Sequence, residues 1–142
     1  MPDPRNTLSH EGIAAQFATY SIDGVTIAYD STRPGGSTGV GLAVTLSGDN
    51  TVALCADGDP VLGKLVLVEQ DGKCNVQFGG MTTLPGGLAA ALTLGTKFVG
   101  ALGAAAARGY IRSVNTAVAA ELGRMTGKIQ AVADPTNVDV LI

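Results

Sequence analysis

The sequence predicts a mainly β fold with minor α. The reading is a single small β-barrel or β-sandwich domain over residues 21–142, an extended N-terminal arm over residues 1–20, and one short helix near the C-terminus. Three observations carry it. Ala56 to Gly80 reads as strand, tight turn, strand: an apolar run from Val61 to Val68, an Asp71-Gly72 turn, then Cys74, Val76 and Phe78 alternating with Asn75 and Gln77. Val40, Leu42, Val44 and Leu46 alternate with Gly41, Ala43 and Thr45. Helical periodicity stands out in one stretch, residues 116–125, while the 20 glycines punctuate the chain at turn spacing.

Composition sets the limits. The chain has 142 residues, the size of one ordinary domain. Hydrophobic residues make up 46%, enough for a packed core, but aromatics are 4% and Trp is absent, so that core must come from Val, Leu, Ile and Ala. Charged residues are only 15%, a surface that fits burial in an assembly better than life as a free monomer. Net charge is −3, and the nine basic residues are scattered from Arg5 to Lys128, which excludes a phosphate-binding stripe and a polybasic membrane patch. The polar start MPDPRNTLSHEG carries no apolar h-region, so no signal peptide is expected. Leu84 to Ala107 is hydropathic, but Lys97 and its Gly and Pro residues argue against a membrane span.

Element by element, Pro2 and Pro4 block helix and ladder pairing at the start of the arm. Ile13, Ala14, Ala15, Phe17 and Tyr20 supply its sparse apolar anchors, so the segment is expected to order on a partner. Val25 to Tyr29 is the expected first strand, and Asp30 to Gly39 a flexible surface loop. The alternating strand at 40–46 turns at Ser47 to Asn50 into a strand at Thr51 to Cys55, and Asp57 to Pro60 breaks the chain before the hairpin. Met81 to Leu84 reads as a connector between Gly pairs; Leu88 to Leu94 reads equally as a helical turn or a strand. Lys97 to Val99 and Gly109 to Val114 are short strands, with a Gly/Ala-rich tract between them that packs tightly or forms a short helix. Asn115 caps the helix, whose apolar stripe is Val118, Leu122 and Met125, and Gly127 follows its end. Lys128 to Ala133 and Val138 to Ile142 close the chain as strands around a loop at 134–137, for seven to nine strands in all.

Nothing along the chain assembles a catalytic set. His10 lies in the polar arm without a nucleophile or zinc-helix spacing beside it, and reads as solvated or partner-facing. Gly35 to Gly41 resembles a phosphate cradle only in its glycines, since it leads into a strand and not a helix. Asp57, Asp59 and Asp71 lack the further oxygens of a calcium loop and read as turn residues, and Glu69 with Asp71 flanks a turn where carboxylates are solvated. Glu121 and Arg124, at i and i+3, read as a surface ion pair or an oligomer contact. Cys55 and Cys74 read as two buried small hydrophobes, with a cross-strand disulfide as the alternative. No catalytic, cofactor-binding or metal residue is therefore assigned, and no cofactor is expected.

The arm, the Asp57-Gly58-Asp59-Pro60-Val61-Leu62-Gly63 segment with its second hairpin strand, the tract Leu94 to Gly100, and Gly109-Tyr110-Ile111-Arg112-Ser113-Val114 with an apolar C-terminal strand together resemble the capsid decoration (cement) proteins of tailed bacteriophages. The resemblance covers most of residues 40–142. It implies a structural virion protein made in the host cytoplasm, a homotrimer on the outer capsid surface that stabilises contacts between capsomers. The implied partners are the major capsid protein and itself, with no nucleic acid and no membrane; the arm from Pro2 to Tyr20 would make the capsid contact. Two alternatives stand beside it: a small β-barrel that binds a ligand or peptide in its mouth, and another virion subunit of the head–tail or tail-tube kind.

Overall fold

The computed structural model of the chain describes residues 13–87, 92–132 and 136–142. The fold is mainly β, and of barrel and sandwich it is the barrel. Five strands close on themselves in the order β1 (Gln16–Ile22), β3 (Thr51–Leu54), β2 (Ala43–Gly48), β4 (Gly63–Val68) and β5 (Lys73–Gly79). β1 runs parallel to β3 and antiparallel to β5, and the other neighbours are antiparallel. Beside the barrel lie a three-stranded sheet, β6 (Met81–Leu84), β10 (Val138–Leu141) and β9 (Lys128–Ala131), and a ribbon of β7 (Phe98–Ala101) and β8 (Tyr110–Ser113). The helix α1 spans only Ala119–Leu122.

Two apolar clusters hold these pieces. Val44, Val52, Leu65, Val68, Cys74 and Val76 fill the barrel, the alternate inward residues of its strands. The second cluster joins Ala43, Cys55 and Val61 at the barrel wall to Leu84, Phe98, Ile111, Ile129, Val138 and Val140. β2 and β3 thus serve both clusters through adjacent residues. Phe98 is fully buried, and Gly127 makes room for it: a Cβ there would sit 2.6 Å from the Phe98 ring and 2.2 Å from the Leu141 carbonyl. Gly127 is therefore a close-approach residue at the entry to β9 and not the end of α1, which Gly123 caps.

The hairpin of β4 and β5 and the strands at 51–54, 98–101, 110–113, 128–131 and 138–141 fall where the sequence places them, but the strand expected at 40–46 runs from Ala43 to Gly48, so the turn expected at 47–50 narrows to residues 49 and 50. Other expectations need correction. The first strand is not Val25 to Tyr29 but β1, so the boundary drawn between arm and domain at residue 20 falls inside a barrel strand. The cause is Asp23. Its carboxylate accepts hydrogen bonds from the backbone N–H of Val25 (3.3 Å), Thr26 (3.0 Å) and Ile27 (3.0 Å) and from the Thr26 hydroxyl (2.8 Å). A short polar side chain has outcompeted the ladder for those donors. Thr26 then accepts from Leu54 N at 2.9 Å, and Ile27 drops into the barrel core. Desolvation works against the Asp23 carboxylate, but the hydrogen bonds from Thr26, Ile27 and Val25 prevail and hold its pKa below the ordinary value.

The loop after Asp30 is not a loose surface loop. Ser37 and Gly39 are buried, Gly36 O accepts from Asp30 N at 2.8 Å, and the Ser37 hydroxyl accepts from Gly39 N at 3.2 Å. Gly36 has φ +86° and lies so close to β4 that a Cβ would stand 2.0 Å from Val68 O. Residues 81–84, read as a connector, form β6, because β10 arrives from far along the chain to pair with them. In β5 the alternation breaks after Val76: Gln77 is buried and Phe78 exposed. The β1–β5 register shifts between Gln16 and Phe17, and the buried Gln77 amide donates to Gly79 O and Met81 O, each at 3.2 Å. Residues 88–91 of the ambiguous segment, and residues 133–135, lie outside the described residues.

Candidate functional site

Two places on the molecule concentrate polar or exposed apolar groups: a buried ion cluster at Arg112 and the face where β1 begins. Arg112 comes from the buried middle of β8, and α1 delivers Glu121 to it. Residue exposures are 8% for Arg112 and 7% for Glu121. Arg112 Nη1 donates to Glu121 Oε2 at 3.0 Å, and Nη2 donates to Glu121 Oε1. On its other side Nε donates to Asp57 Oδ1 at 2.9 Å and Nη2 to Asp57 Oδ2 at 3.5 Å, while Nη1 also reaches Ser113 O at 3.3 Å. Glu121 Oε2 accepts a further bond from Asn115 N at 2.8 Å.

The hydrogen bonds from Arg112 hold the Glu121 carboxyl below the ordinary carboxylate value, helped by the Asn115 N–H. The same bonds, to Glu121 and then Asp57, push the guanidinium up. A guanidinium has five N–H groups, and five bonds are made here, so none remains to hold an anion. The cluster is a clip. It ties the 55–60 turn, β8 and α1 together, and it does so around Gly58, whose N–H donates to Gly100 O at 2.9 Å.

This clip corrects two expectations. The Glu121 carboxylate is spent on Arg112, so the surface pair of Glu121 with Arg124 does not form as read. Among the described residues Asp57 is an ion-pair partner and not only a turn former. The helix also buries a different residue from the apolar ones expected: Val118 and Leu122 are exposed, and the one buried residue is Glu121. The available signal was a glutamate three residues after Val118, on the same side as the apolar stripe. Its partner, on a different strand, was not marked by any spacing.

The other assigned polar residues keep modest roles. Asp59 Oδ2 accepts from Ala56 N at 2.8 Å, and Asp71 Oδ1 from Lys73 N at 3.0 Å. Among the described residues no group of His, Cys, Asp or Glu could hold a metal ion. Cys55 and Cys74 are both buried and unbridged, one in each core cluster, and burial pushes both thiols up. The Gly35 to Gly41 loop leads into β2 with no helix behind it. No described helix is long and apolar enough to cross a membrane. His10 and the arm from Pro2 to Gly12 lie outside the described residues.

Of the arm anchors, Tyr20 packs against the barrel core, whereas Ile13 is 56% and Phe17 51% exposed. Phe17 lines a groove of about 330 Å³ with Val40, Lys64, Val66 and Gln77. Ile13 stays attached to the fold through its carbonyl, which accepts from Met81 N at 2.9 Å. Two large apolar side chains thus stand in solvent on the same short stretch of chain, and one of them, Phe17, borders a groove in the barrel wall. The arrangement offers a contact surface and no reactive group. Comparison of the chain with protein-family models, with curated proteins and with solved structures finds no match in any of the three.

Proposed function

We propose that this chain is a structural virion protein, a trimer that binds the outer surface of a phage capsid and stabilises contacts between capsomers. The observation that carries the reading is the exposed pair Ile13 and Phe17 at the point where the N-terminal segment joins the barrel. Apolar side chains held out in this way, one on β1 itself and one just before it, suit a segment completed by a partner. The sparse charge and the further exposed Val25, Leu46 and Leu94 suit a molecule that is covered in its assembly. A barrel interior filled by Val and Leu speaks against the ligand-binding alternative, which needs an open lumen.

The test is co-sedimentation with expanded capsids of the phage whose genome carries the gene. Because β1 is part of the barrel, deletion of residues 2–20 would unfold the domain, and the informative deletion is residues 2–12. Full-length protein should pellet with capsids and the deletion should not. Light scattering should give about 43 kDa, three chains of 14.2 kDa. Failure of the full-length protein to bind refutes the function. Equal binding by the deletion refutes the role of the arm.

A further inference from the structure

The geometry points to a strand-addition site on the free edge of β2, which takes an extended segment of a partner protein carrying alternate acidic and apolar side chains. It stands independently of the virion reading. β2 pairs with β4 only through Ala43 and Val44; the register with Lys64 and Gly63 ends there, and Thr45 to Gly48 continue with β3 alone. Cys55 N donates to Ala43 O, which fixes the phase of the β2–β3 ladder: Thr45 bonds to Ala53, and Leu46 turns its N–H and C=O away from β3. No described residue partners those two Leu46 groups. The neighbouring chain that would have paired there begins at Pro60, which has no N–H to give. The edges of β9, β7 and β8 are covered instead: Gly95 and Thr96 bond to Ile129 of β9, Thr126 bonds both ways to Phe98 of β7, and Pro85 and Gly87 bond to Ile111 of β8.

Two grooves meet at this edge, and Thr45, Leu46 and Pro60 line both. One, of about 210 Å³, is apolar, between Leu46 and the Pro60-Val61-Leu62 segment. The other, of about 370 Å³, runs from Thr45 and Ser47 past Asp59 to Arg108 and Arg124. The two arginines are exposed and form no ion pair with a described residue, and Asp59 already accepts from Ala56 N. In a protein of net charge −3 this is a locally positive spot. A strand laid along Leu46 would direct successive side chains to opposite faces, one set toward the groove of Leu46 and Leu62, the other toward the arginines. The partner therefore reads acidic, apolar, acidic, apolar.

The experiment uses the full chain, labelled with ¹⁵N, and two acetylated and amidated peptides, Thr-Glu-Val-Glu-Val-Glu-Thr and its Lys-for-Glu counterpart. The acidic peptide should shift and protect from exchange the amide of Leu46, and it should bind at least roughly tenfold more tightly than the basic one. Arg108→Glu with Arg124→Glu, both surface changes, should abolish that preference. The preference should also shrink as salt is raised. Equal binding of the two peptides, shifts confined to residues away from β2, or no shift at roughly 5 mM peptide would each overturn the site.

Discussion

Replacing Arg112 by Met tests the physical account of the clip. The change keeps length and apolar stem but removes every guanidinium donor to Glu121 and Asp57. Glu121 then remains 7% exposed with only the Asn115 N–H, 2.8 Å away, to hold its charge. Removing one member of a buried pair costs about 3–5 kcal/mol, mostly the desolvation of the charge left behind. A domain of this size is stabilised by about 5–15 kcal/mol, so the loss is a large share, and it corresponds to a fall in Tm of roughly 10–15 °C. Asp57 is half in water, its side chain 51% exposed, so Asp57→Asn should cost under about 1 kcal/mol. The decisive arm is the double change Arg112→Met with Glu121→Met. With both charges gone, apolar packing should bring stability back to within about 1–2 kcal/mol of the natural protein. Urea titrations followed by circular dichroism, run on these three variants and on Glu121→Met alone, give the four numbers needed. An Arg112→Met loss below about 1 kcal/mol, or a double variant as unstable as the sum of the two single ones, would refute the reasoning.

Three more outcomes follow from the structure. Glu121 is held below its ordinary value of 4.5, so its contribution to stability is complete above the unfolded-state pKa and is lost as pH falls through the folded one; the urea midpoint of Glu121→Gln should therefore fall less between about pH 6 and about pH 3 than that of the natural chain. Gly72 and Gly36 both have positive φ, +83° and +86°, but only Gly36 is against a wall; Gly72→Ala should cost about 1 kcal/mol, and Gly36→Ala clearly more or fail to fold, read by thermal melting. Cys55 and Cys74, both buried with their thiols pushed up, should resist iodoacetamide in the native protein and react together on unfolding, as mass spectrometry would record.

The sequence made some of this legible and hid the rest for specific reasons. Strands with their own turns were plain: β4 and β5 are joined by Asp71-Gly72, and β2 and β3 by a turn in which Asn50 takes φ +51°. What escaped depended on distant partners. β6 is four residues whose pairing with Val138 to Leu141 crosses most of the second half of the chain. The stretch at 23–27 has strand-forming side chains, and only the reach of Asp23 over three backbone donors turns it aside. In α1, propensity and apolar spacing predicted the wrong buried residues, since a single ion pair outweighed Val118 and Leu122. The surfaces at Phe17 and at Leu46 show up as exposure and a strand edge, which one-dimensional patterns do not record.

The barrel closes by joining β1 to β5, Gln16 to Gly79 at one end of the seam and Ser21 to Lys73 at the other. During synthesis β1 therefore leaves the ribosome long before its partner. About 60 residues separate them, and at roughly 5–20 residues per second the nascent strand waits some seconds with Tyr20 and Ile22 uncovered. Its only earlier ladder neighbour, β3, offers just two parallel pairs, at Thr51 and Val52. Closure is thus a late, long-range step, and the interval before it is when this chain is most open to capture by chaperones or by another copy of itself.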